Sequence, residues 1–424
     1  MIIAYFFVFY NKKQKTLQFK ILRCIFFMCL RIEFIKMKEK CYETILIFFI
    51  LFGILICSFP QIHVYAEKEQ APFNVDAKSA VLMEATTGTI LFAQNESEAL
   101  PPASVTKIMT LLLVMEAIEE GRIALEDTVL ISKNAASMGG SQVFMKEGEE
   151  FTVNELLKCC VIASANDAAV ALAEYVCGSE SVFISRMNEK ARELGLTSTK
   201  FENATGLDDT TVTHLTSAKD IAVMSRALIK HEKILEYSRL WQDSIRDGAF
   251  ILTNTNRLVR FYKGCTGLKT GSTEKAGYCV SVTAERDGLS LICVVMGADS
   301  RDERNAIATS LMDYGFANYG VYSQESRVLE SIPVLGGTKR YVSVKSAPFS
   351  AVIQKNGTTV ECIYEIPEYL SAPVKEGDAV GKIYYEFAGE RIGESDITVC
   401  ESVQKIKQVQ IFYRMLINFI MGPR

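Results

Sequence analysis

Histidine is scarce in this 424-residue sequence, which restricts how a hydrolase could be built from it. Only three histidines are present, with a single tryptophan. A Ser-His-Asp hydrolase needs one histidine as its base. His63 lies in an apolar N-terminal region, His231 near a predicted helix end and His214 just before a predicted helix. We therefore expect His214, the remaining candidate, to be structural.

An excess of positive charge and a paired cysteine pattern are also missing. The 46 Lys and Arg residues against 50 Asp and Glu give a net charge of -4, which argues against a nucleic-acid-binding surface. Four of the twelve cysteines precede residue 60, and the others are scattered without C-x-x-C spacing. This argues against a zinc site, so we expect no metal and read most cysteines as small buried side chains.

The N-terminus has no single long apolar run in residues 1–36, where short bursts fall below the roughly 18–20 residues that span a bilayer. After Met37, a basic start, an apolar core over 45–57 and a compact Val64-Tyr65-Ala66 are typical of a secretory signal peptide. We expect residues 1–36 to be a non-native upstream extension and residues 37–66 to be removed on export. A retained N-terminal membrane anchor is the alternative.

The C-terminal segment, residues 401–424, has an amphipathic pattern. Val409, Phe412, Leu416 and Phe419 share a broad apolar face, with Lys407 on the narrower polar face. This pattern predicts a helix lying in a membrane interface at the outer face of the cytoplasmic membrane. The alternative is a helix docked on the core of the protein itself.

Between these ends, the pattern predicts an α+β fold. A hairpin at 80–93 precedes helices at 153–162, 167–176, 181–194 and 216–231, and a second hairpin at 277–296 precedes a helix at 302–314. Strands, a helical insertion, strands and a final helix indicate an antiparallel sheet flanked by helices. Short alternating strands over 328–399 predict a small C-terminal β-sandwich.

A serine and a lysine three residues apart begin the helical run at 104–118. If a helix starts at Ser104, its hydroxyl and the Lys107 amine lie on one face. A neutral lysine can then take the serine proton and activate it as a nucleophile. The S-x-x-K pattern is common by chance, so its meaning depends on the rest of the chain.

Two later clusters could complete such a site. Ser164 and Asn166 lie at a break between two helices, where a plain capped boundary is the alternative. Lys269-Thr270-Gly271 lies in the second strand region, where a cation and a hydroxyl could face a carboxylate and the glycine could admit a ligand to the backbone.

The three motifs in this order, S-x-x-K, S-x-N and K-T-G, resemble those of the penicillin-recognising serine enzymes. The chain is similar to the low-molecular-mass D-alanyl-D-alanine carboxypeptidases, the penicillin-binding protein 5 family, over residues 73–320 and more loosely over 328–399. The resemblance implies a penicillin-binding catalytic domain with a helical subdomain, a small all-β domain and a membrane-anchor helix. It also implies a cofactor-free enzyme that trims the terminal D-alanine from peptidoglycan stem pentapeptides and is acylated by β-lactams.

The resemblance also assigns roles to individual residues. Ser104 would be the nucleophile, Lys107 its base and Ser164 the proton relay to the leaving D-alanine. The remaining residues would bind substrate: Asn166 its peptide backbone, Lys269 and Thr270 its carboxylate, Gly271 and Ser272 its reacting end, with Arg304 near the carboxylate. The backbone N–H groups of Ser104 and Ser272 would form the oxyanion hole.

Two rival functions stay open at this point. A β-lactamase would need a glutamate to activate water, usually in an E-x-x-L-N sequence. Residues 164–269 contain glutamates but no E-x-x-L-N sequence. A catalytically silent peptidoglycan-binding protein would be expected to lack a motif residue, and none is missing. No G-x-S-x-G turn accompanies Ser104, which leaves lysine as the better base.

Overall fold

The computed structural model describes residues 74–208 and 211–421. The predicted extension (1–36) and signal peptide (37–66) lie outside the described residues. The strands that precede residue 300 are β1 Ser79–Glu84, β2 Ile90–Gln94, β3 Thr128–Leu130, β4 Glu150–Thr152, β5 Gln242–Ile245, β6 Phe250–Thr253, β7 Cys265–Thr273, β8 Gly277–Arg286 and β9 Leu289–Ala298. The helices up to residue 318 are α1 Lys107–Glu119, α2 Lys133–Ala136, α3 Val153–Ile162, α4 Asn166–Cys177, α5 Glu180–Glu193, α6 Ala218–Leu228, α7 Glu232–Ser238, α8 Leu258–Phe261 and α9 Arg301–Asn318.

One five-stranded antiparallel sheet, in the order β2-β1-β9-β8-β7, is the base of the first domain. Side chains alternate between its faces along each strand. Leu82 and Val295 pack on one face with Leu311 of α9, whereas Val81 and Val294 belong to the core that includes α1 and α6. Helices thus cover both faces, and the predicted α+β architecture is confirmed.

The helical insertion between β2 and β7 matches the expected helices to within a few residues. Local capping explains several of the starts. Thr152 and Glu155 form a reciprocal capping box at α3, Ser217 accepts a hydrogen bond from the Asp220 N–H at α6, and Ser300 accepts one from the Glu303 N–H at α9. Each side chain satisfies a backbone donor that the first helical turn leaves unpaired.

The C-terminal domain contains β10 Tyr319–Gln324, β11 Ile332–Leu335, β12 Tyr341–Val342, β13 Val344–Ser346, β14 Phe349–Gln354, β15 Glu361–Glu365, β16 Leu370–Ser371, β17 Ala379–Phe387 and β18 Glu390–Val399. These strands form two-, three- and four-stranded sheets. Ile332, Val344, Ile383, Tyr385 and Ile397 contribute to a shared core. The prediction of an all-β domain is confirmed.

A final helix, α10 Gln408–Met421, lies within the predicted amphipathic segment and begins later than residue 401. Its apolar side chains are exposed, including Val409 at 79%, Phe412 at 68% and Phe419 at 89%. These three side chains are therefore not buried against the domains. Within the described part of the chain no single helix meets the length and hydropathy required of a bilayer span, although the bent pair α4 and α5 does so jointly.

Candidate active site

Ser104 and Lys107 meet at the start of α1. Ser104 does not open the α-helix as expected, because residues Ala103–Thr106 form a 3₁₀ turn and the α-helix begins at Lys107. A 3₁₀ turn has three residues per turn, so side chains three positions apart are eclipsed. The Lys107 Nζ accordingly lies 2.9 Å from the Ser104 Oγ, as a nucleophile and its base require.

The Lys107 amine is fully buried and held by three neighbours. It donates to the Asn166 Oδ1 at 2.6 Å and to the backbone carbonyl of Thr205 at 2.9 Å, in addition to Ser104. A neutral amine keeps two hydrogens, which these two acceptors can occupy. Its lone pair is then left for the serine proton.

Burial lowers the pKa of Lys107 to about 8, although the charge of Asp167 acts in the opposite direction. The pKa of Lys269 also lies well below its usual value, because of burial and the charge of Lys107. Burial is therefore the main cause that prepares Lys107 as a base.

Ser164 and Asn166 lie in the turn between α3 and α4. Ser164 has a positive φ of 62° and its Oγ accepts a hydrogen bond of 2.7 Å from the Lys269 Nζ. Asn166 is the first residue of α4, and its Nδ2 donates to the Gly139 carbonyl at 2.7 Å. The capped boundary that we held as the alternative is absent here, since Ala165 at the N-cap offers no side-chain cap.

Lys269 to Ser272 lie on β7, the sheet edge nearest the nucleophile. The Thr270 Oγ1 donates to the Thr255 Oγ1 at 2.8 Å. A methyl group at Gly271 would lie 2.8 Å from the Ser104 amide nitrogen and 2.9 Å from the Pro102 carbonyl oxygen. Only glycine lets the strand pass this close to the nucleophile turn.

A cleft of about 570 Å³ opens over these residues. Six of the nine predicted site residues line it, namely Ser104, Ser164, Thr270, Gly271, Ser272 and Arg304. Lys107, Asn166 and Lys269 are buried. Arg304 is also buried, which lowers its pKa to about 10. The structure thus brings all nine predicted residues to one cleft or to the contacts beneath it.

Two further residues support the nucleophile through contacts that sequence reasoning did not identify. The Asp167 carboxylate accepts from the N–H groups of Val143 and Met145, which fixes the segment beside Asn166. The His214 Nδ1 accepts from the Glu202 N–H at 3.0 Å, so its Nε2 carries the proton donated to the Thr106 Oγ1 at 2.8 Å. Burial lowers the pKa of His214 to about 4, and this structural role agrees with our expectation.

Other cleft residues had no recognisable signal in the sequence. Trp241 and Phe261 form an edge-to-face aromatic pair in the cleft wall, although both lie outside the three motifs. Among the described residues no group of three or more His, Cys, Asp or Glu side chains could hold a metal ion.

Comparison with protein families gives two matches along the chain. Residues 65–300 match the model of the D-alanyl-D-alanine carboxypeptidases, Peptidase S11. Residues 316–405 match the model of the C-terminal domain of penicillin-binding protein 5. Both matches agree with the two-domain resemblance inferred from the motifs.

Individual proteins agree with these family matches. The chain is 39% identical over 366 residues to D-alanyl-D-alanine carboxypeptidase DacF of Bacillus subtilis (strain 168), covering 84% of this chain and 94% of the relative. It is 33% identical over 348 residues to DacC of Escherichia coli (strain K12), covering 79% and 86%. The structure resembles penicillin-binding protein 5 from Haemophilus influenzae with a TM-score of 0.70 at 29% identity, covering 79% of this chain and 99% of that one.

A ligand-bound structure also matches the first domain. Penicillin-binding protein D2 from Listeria monocytogenes, solved in an ampicillin-bound form, has a TM-score of 0.54 at 31% identity and covers 58% of this chain and 100% of that one. Motifs, fold, site geometry and these relatives agree: the chain belongs to the D-alanyl-D-alanine carboxypeptidase family.

Proposed function

We propose that this protein removes the terminal D-alanine from peptidoglycan stem pentapeptides, with Ser104 as nucleophile and Lys107 as base. The observation that carries the proposal is the contact between Ser104 Oγ and Lys107 Nζ at 2.9 Å, made by an amine whose pKa burial lowers to about 8. A lysine with that pKa is neutral part of the time near neutral pH, as a general base must be.

Acylation begins when Ser104 attacks the carbonyl between the two terminal D-alanines. The serine proton passes to Lys107, and the oxyanion is stabilised by the backbone N–H groups of Ser104 and Ser272. The closeness of Gly271 to the Ser104 amide nitrogen supports this pairing of donors. Asn166, whose amide is bonded to Lys107 and Gly139, would position the base as well as face the substrate.

Departure of D-alanine requires a proton on its nitrogen. The Ser164 Oγ accepts a hydrogen bond from Lys269, so its own hydrogen is available for donation toward the cleft. The proton taken up by Lys107 would return through Ser164 to the leaving amine, so that Lys107 becomes neutral again and Ser164 keeps its hydroxyl. Water would then attack the acyl carbonyl and give a proton to Lys107. This proton would pass to the Ser104 oxygen as the shortened peptide leaves with its new carboxylate. Lys269, Thr270 and Arg304 would bind the substrate carboxylate, whose charge would favour the protonated form of Lys269.

A β-lactamase is disfavoured by the lining of the cleft. In the part of the chain that the structure describes, no Asp or Glu side chain lines it, so no carboxylate there could activate the deacylating water. β-Lactams would consequently form a persistent acyl-enzyme at Ser104 rather than be hydrolysed rapidly.

The proposed location of the enzyme is based on its substrate and on the sequence patterns of its N-terminal and C-terminal segments. We propose a signal peptide cleaved after Ala66, a catalytic domain over 73–320, a β-rich domain over 328–399 and peripheral anchoring at the outer face of the cytoplasmic membrane by residues 401–424. The exposed apolar side chains of α10 support this anchoring, because a soluble helix would bury such a face.

The proposed activity is tested by incubating the purified protein with a stem pentapeptide and measuring product mass. Loss of one alanine residue from the peptide, without rapid turnover of penicillin, is the expected result. Rapid penicillin hydrolysis with no D-alanine release would instead identify a β-lactamase.

A further inference from the structure

The catalytic cleft carries more positive charge than one catalytic lysine explains. Arg257, Arg301 and Arg304 line it, and none of the other described lining residues is acidic. Arg304 is buried, whereas Arg257 and Arg301 are exposed. Lys269 lies beneath the cleft, in the strand that contributes Thr270 and Gly271.

In the part of the chain that the structure describes, none of these three arginines has a carboxylate partner. The described acceptors of Arg304 are both neutral, the Cys279 carbonyl and the Asn305 Oδ1. Arg246, elsewhere in the domain, is by contrast paired with a carboxylate.

The arrangement is electrostatically unfavourable without an anion. Burial is the main cause of the lowered pKa of Arg304, and the charge of Arg301 lowers it further. Asp302, beside Arg301, offsets this only in part and does not line the cleft. Cations held together without a counter-charge repel one another, and binding an anion between them relieves that repulsion.

We propose that Arg257 and Arg301 form an outer carboxylate-recognition subsite that captures the free C-terminal carboxylate of the substrate and guides it to Lys269 and Arg304. A planar guanidinium binds a carboxylate through two parallel hydrogen bonds, so this subsite discriminates against peptides whose terminal D-alanine is amidated or linked onward. The inference rests on the proposed function and adds two arginines outside the three motifs to the recognition of the substrate carboxylate.

The test compares two stem pentapeptides that differ only at the C-terminus, one a free acid and one an amide. In the Arg257→Gln/Arg301→Gln double variant, we expect kcat/KM for the free acid to fall about tenfold through KM, with less than about twofold change for the amide, as loss of charge-assisted contacts predicts. The Arg257→Lys/Arg301→Lys variant should recover part of the lost discrimination, because it keeps both charges. Equal losses for the two peptides would overturn the subsite.

Arg260→Gln is the matched control. Arg260 is exposed and stacks on Trp241 and Phe261, but it does not line the cleft. We expect it to leave the ratio of the two kcat/KM values unchanged, and an equal effect in this variant would show that general surface charge, rather than the subsite, selects the carboxylate.

Salt gives an independent readout through benzylpenicillin, which also carries a carboxylate. Its second-order acylation rate should fall between about 0.01 M and about 1 M salt, where the Debye length shrinks from about 30 Å to about 3 Å. This decrease should be largely lost in the Gln double variant, and an unchanged salt dependence would contradict the subsite. Absence of any acylation in the unaltered protein would instead reject the proposed function.

Discussion

At the scale of single residues, burial of Lys107 converts a common sequence pattern into a reactive pair. The amine has no exposed surface, and desolvation lowers its pKa to about 8. A surface lysine at the same spacing would stay protonated at neutral pH and could not accept the serine proton.

The pH dependence of acylation tests this state of Lys107. The second-order rate of reaction with penicillin reports the ionisation of the unliganded enzyme. Because only neutral Lys107 can act as base, the rate should fall about tenfold for each pH unit below about 8. Stopped-flow measurement can use the single tryptophan, Trp241, as a reporter because it lines the cleft. A rate that stays constant from pH 8 to pH 6 would contradict Lys107 as the base.

Gly271 gives a second prediction at this scale. In Gly271→Ala the new methyl would lie 2.8 Å from the Ser104 nitrogen, so strand or turn must move, at a cost of about 1–3 kcal/mol in unfolding free energy. Penicillin labelling should slow more than ten times, since the displaced atoms adjoin the oxyanion site. Gly320→Ala is the control, because its nearest neighbour is the flexible end of Lys355 at 3.3 Å. Urea unfolding gives the free energy of unfolding of both variants, and penicillin labelling gives their acylation rates. Equal stability and equal labelling rates in the two variants would contradict this role of Gly271.

At the scale of elements, a loop braces the turn that carries the nucleophile. The Ala204 carbonyl accepts a hydrogen bond from Thr110 and the Thr205 carbonyl accepts one from Lys107. A Cβ on Gly206, whose φ is 85°, would lie 1.8 Å from the Ala103 carbonyl oxygen. His214 adds the bond to Thr106 from the other end of this loop.

The neutral form of His214 makes the stability of this brace dependent on pH. Its pKa is about 4 in the folded protein against 6.5 for the unperturbed group, so the unfolded chain binds the proton first as pH falls. The contribution of neutral His214 to the free energy of unfolding is present above the unfolded pKa of 6.5. It should decrease by about 2 kcal/mol between pH 7 and pH 5. His214→Gln can donate to Thr106 without titrating, so its unfolding free energy should lose about 2 kcal/mol less than that of the unaltered protein over this interval. Identical decreases in urea unfolding would refute the assignment.

The sequence predicted the long elements and the three motifs but not their exact junctions. The hairpin of β8 and β9 was recognisable because two long apolar strands flank Asp287-Gly288, both with positive φ. The two-stranded sheets β3–β4 and β5–β6 were missed because strands of three or four residues show too little alternation. The 3₁₀ turn at Ser104 was read as helix, since both conformations place residues 104 and 107 together.

In the active site, too, the sequence predicted local features but not contacts between distant segments. Each motif identified its own residues, whereas the contacts of Asp167 and His214 depend on segments distant in sequence. The place of Arg257 in the cleft had no local signal either. Such contacts arise from tertiary packing, which has no local periodicity.

At the scale of the whole molecule, the terminal helix is the basis of the proposed anchoring to the membrane. Truncation after residue 405 removes α10 and its exposed apolar side chains. We expect this variant to leave the membrane fraction while it keeps its penicillin-labelling rate, because the catalytic residues lie far from the helix in the chain. Membrane flotation measures the first property, and continued membrane association would contradict the anchor.

The central claim, that Ser104 is the nucleophile of this carboxypeptidase, is tested most directly by locating the acyl group. The purified protein and its Ser104→Ala variant are incubated with benzylpenicillin, digested and analysed by mass spectrometry. We predict a penicilloyl group on the peptide that contains Ser104, and no covalent group on the variant, whose urea unfolding stays cooperative. A label on any other residue, or a label of equal extent on the variant, would contradict the account.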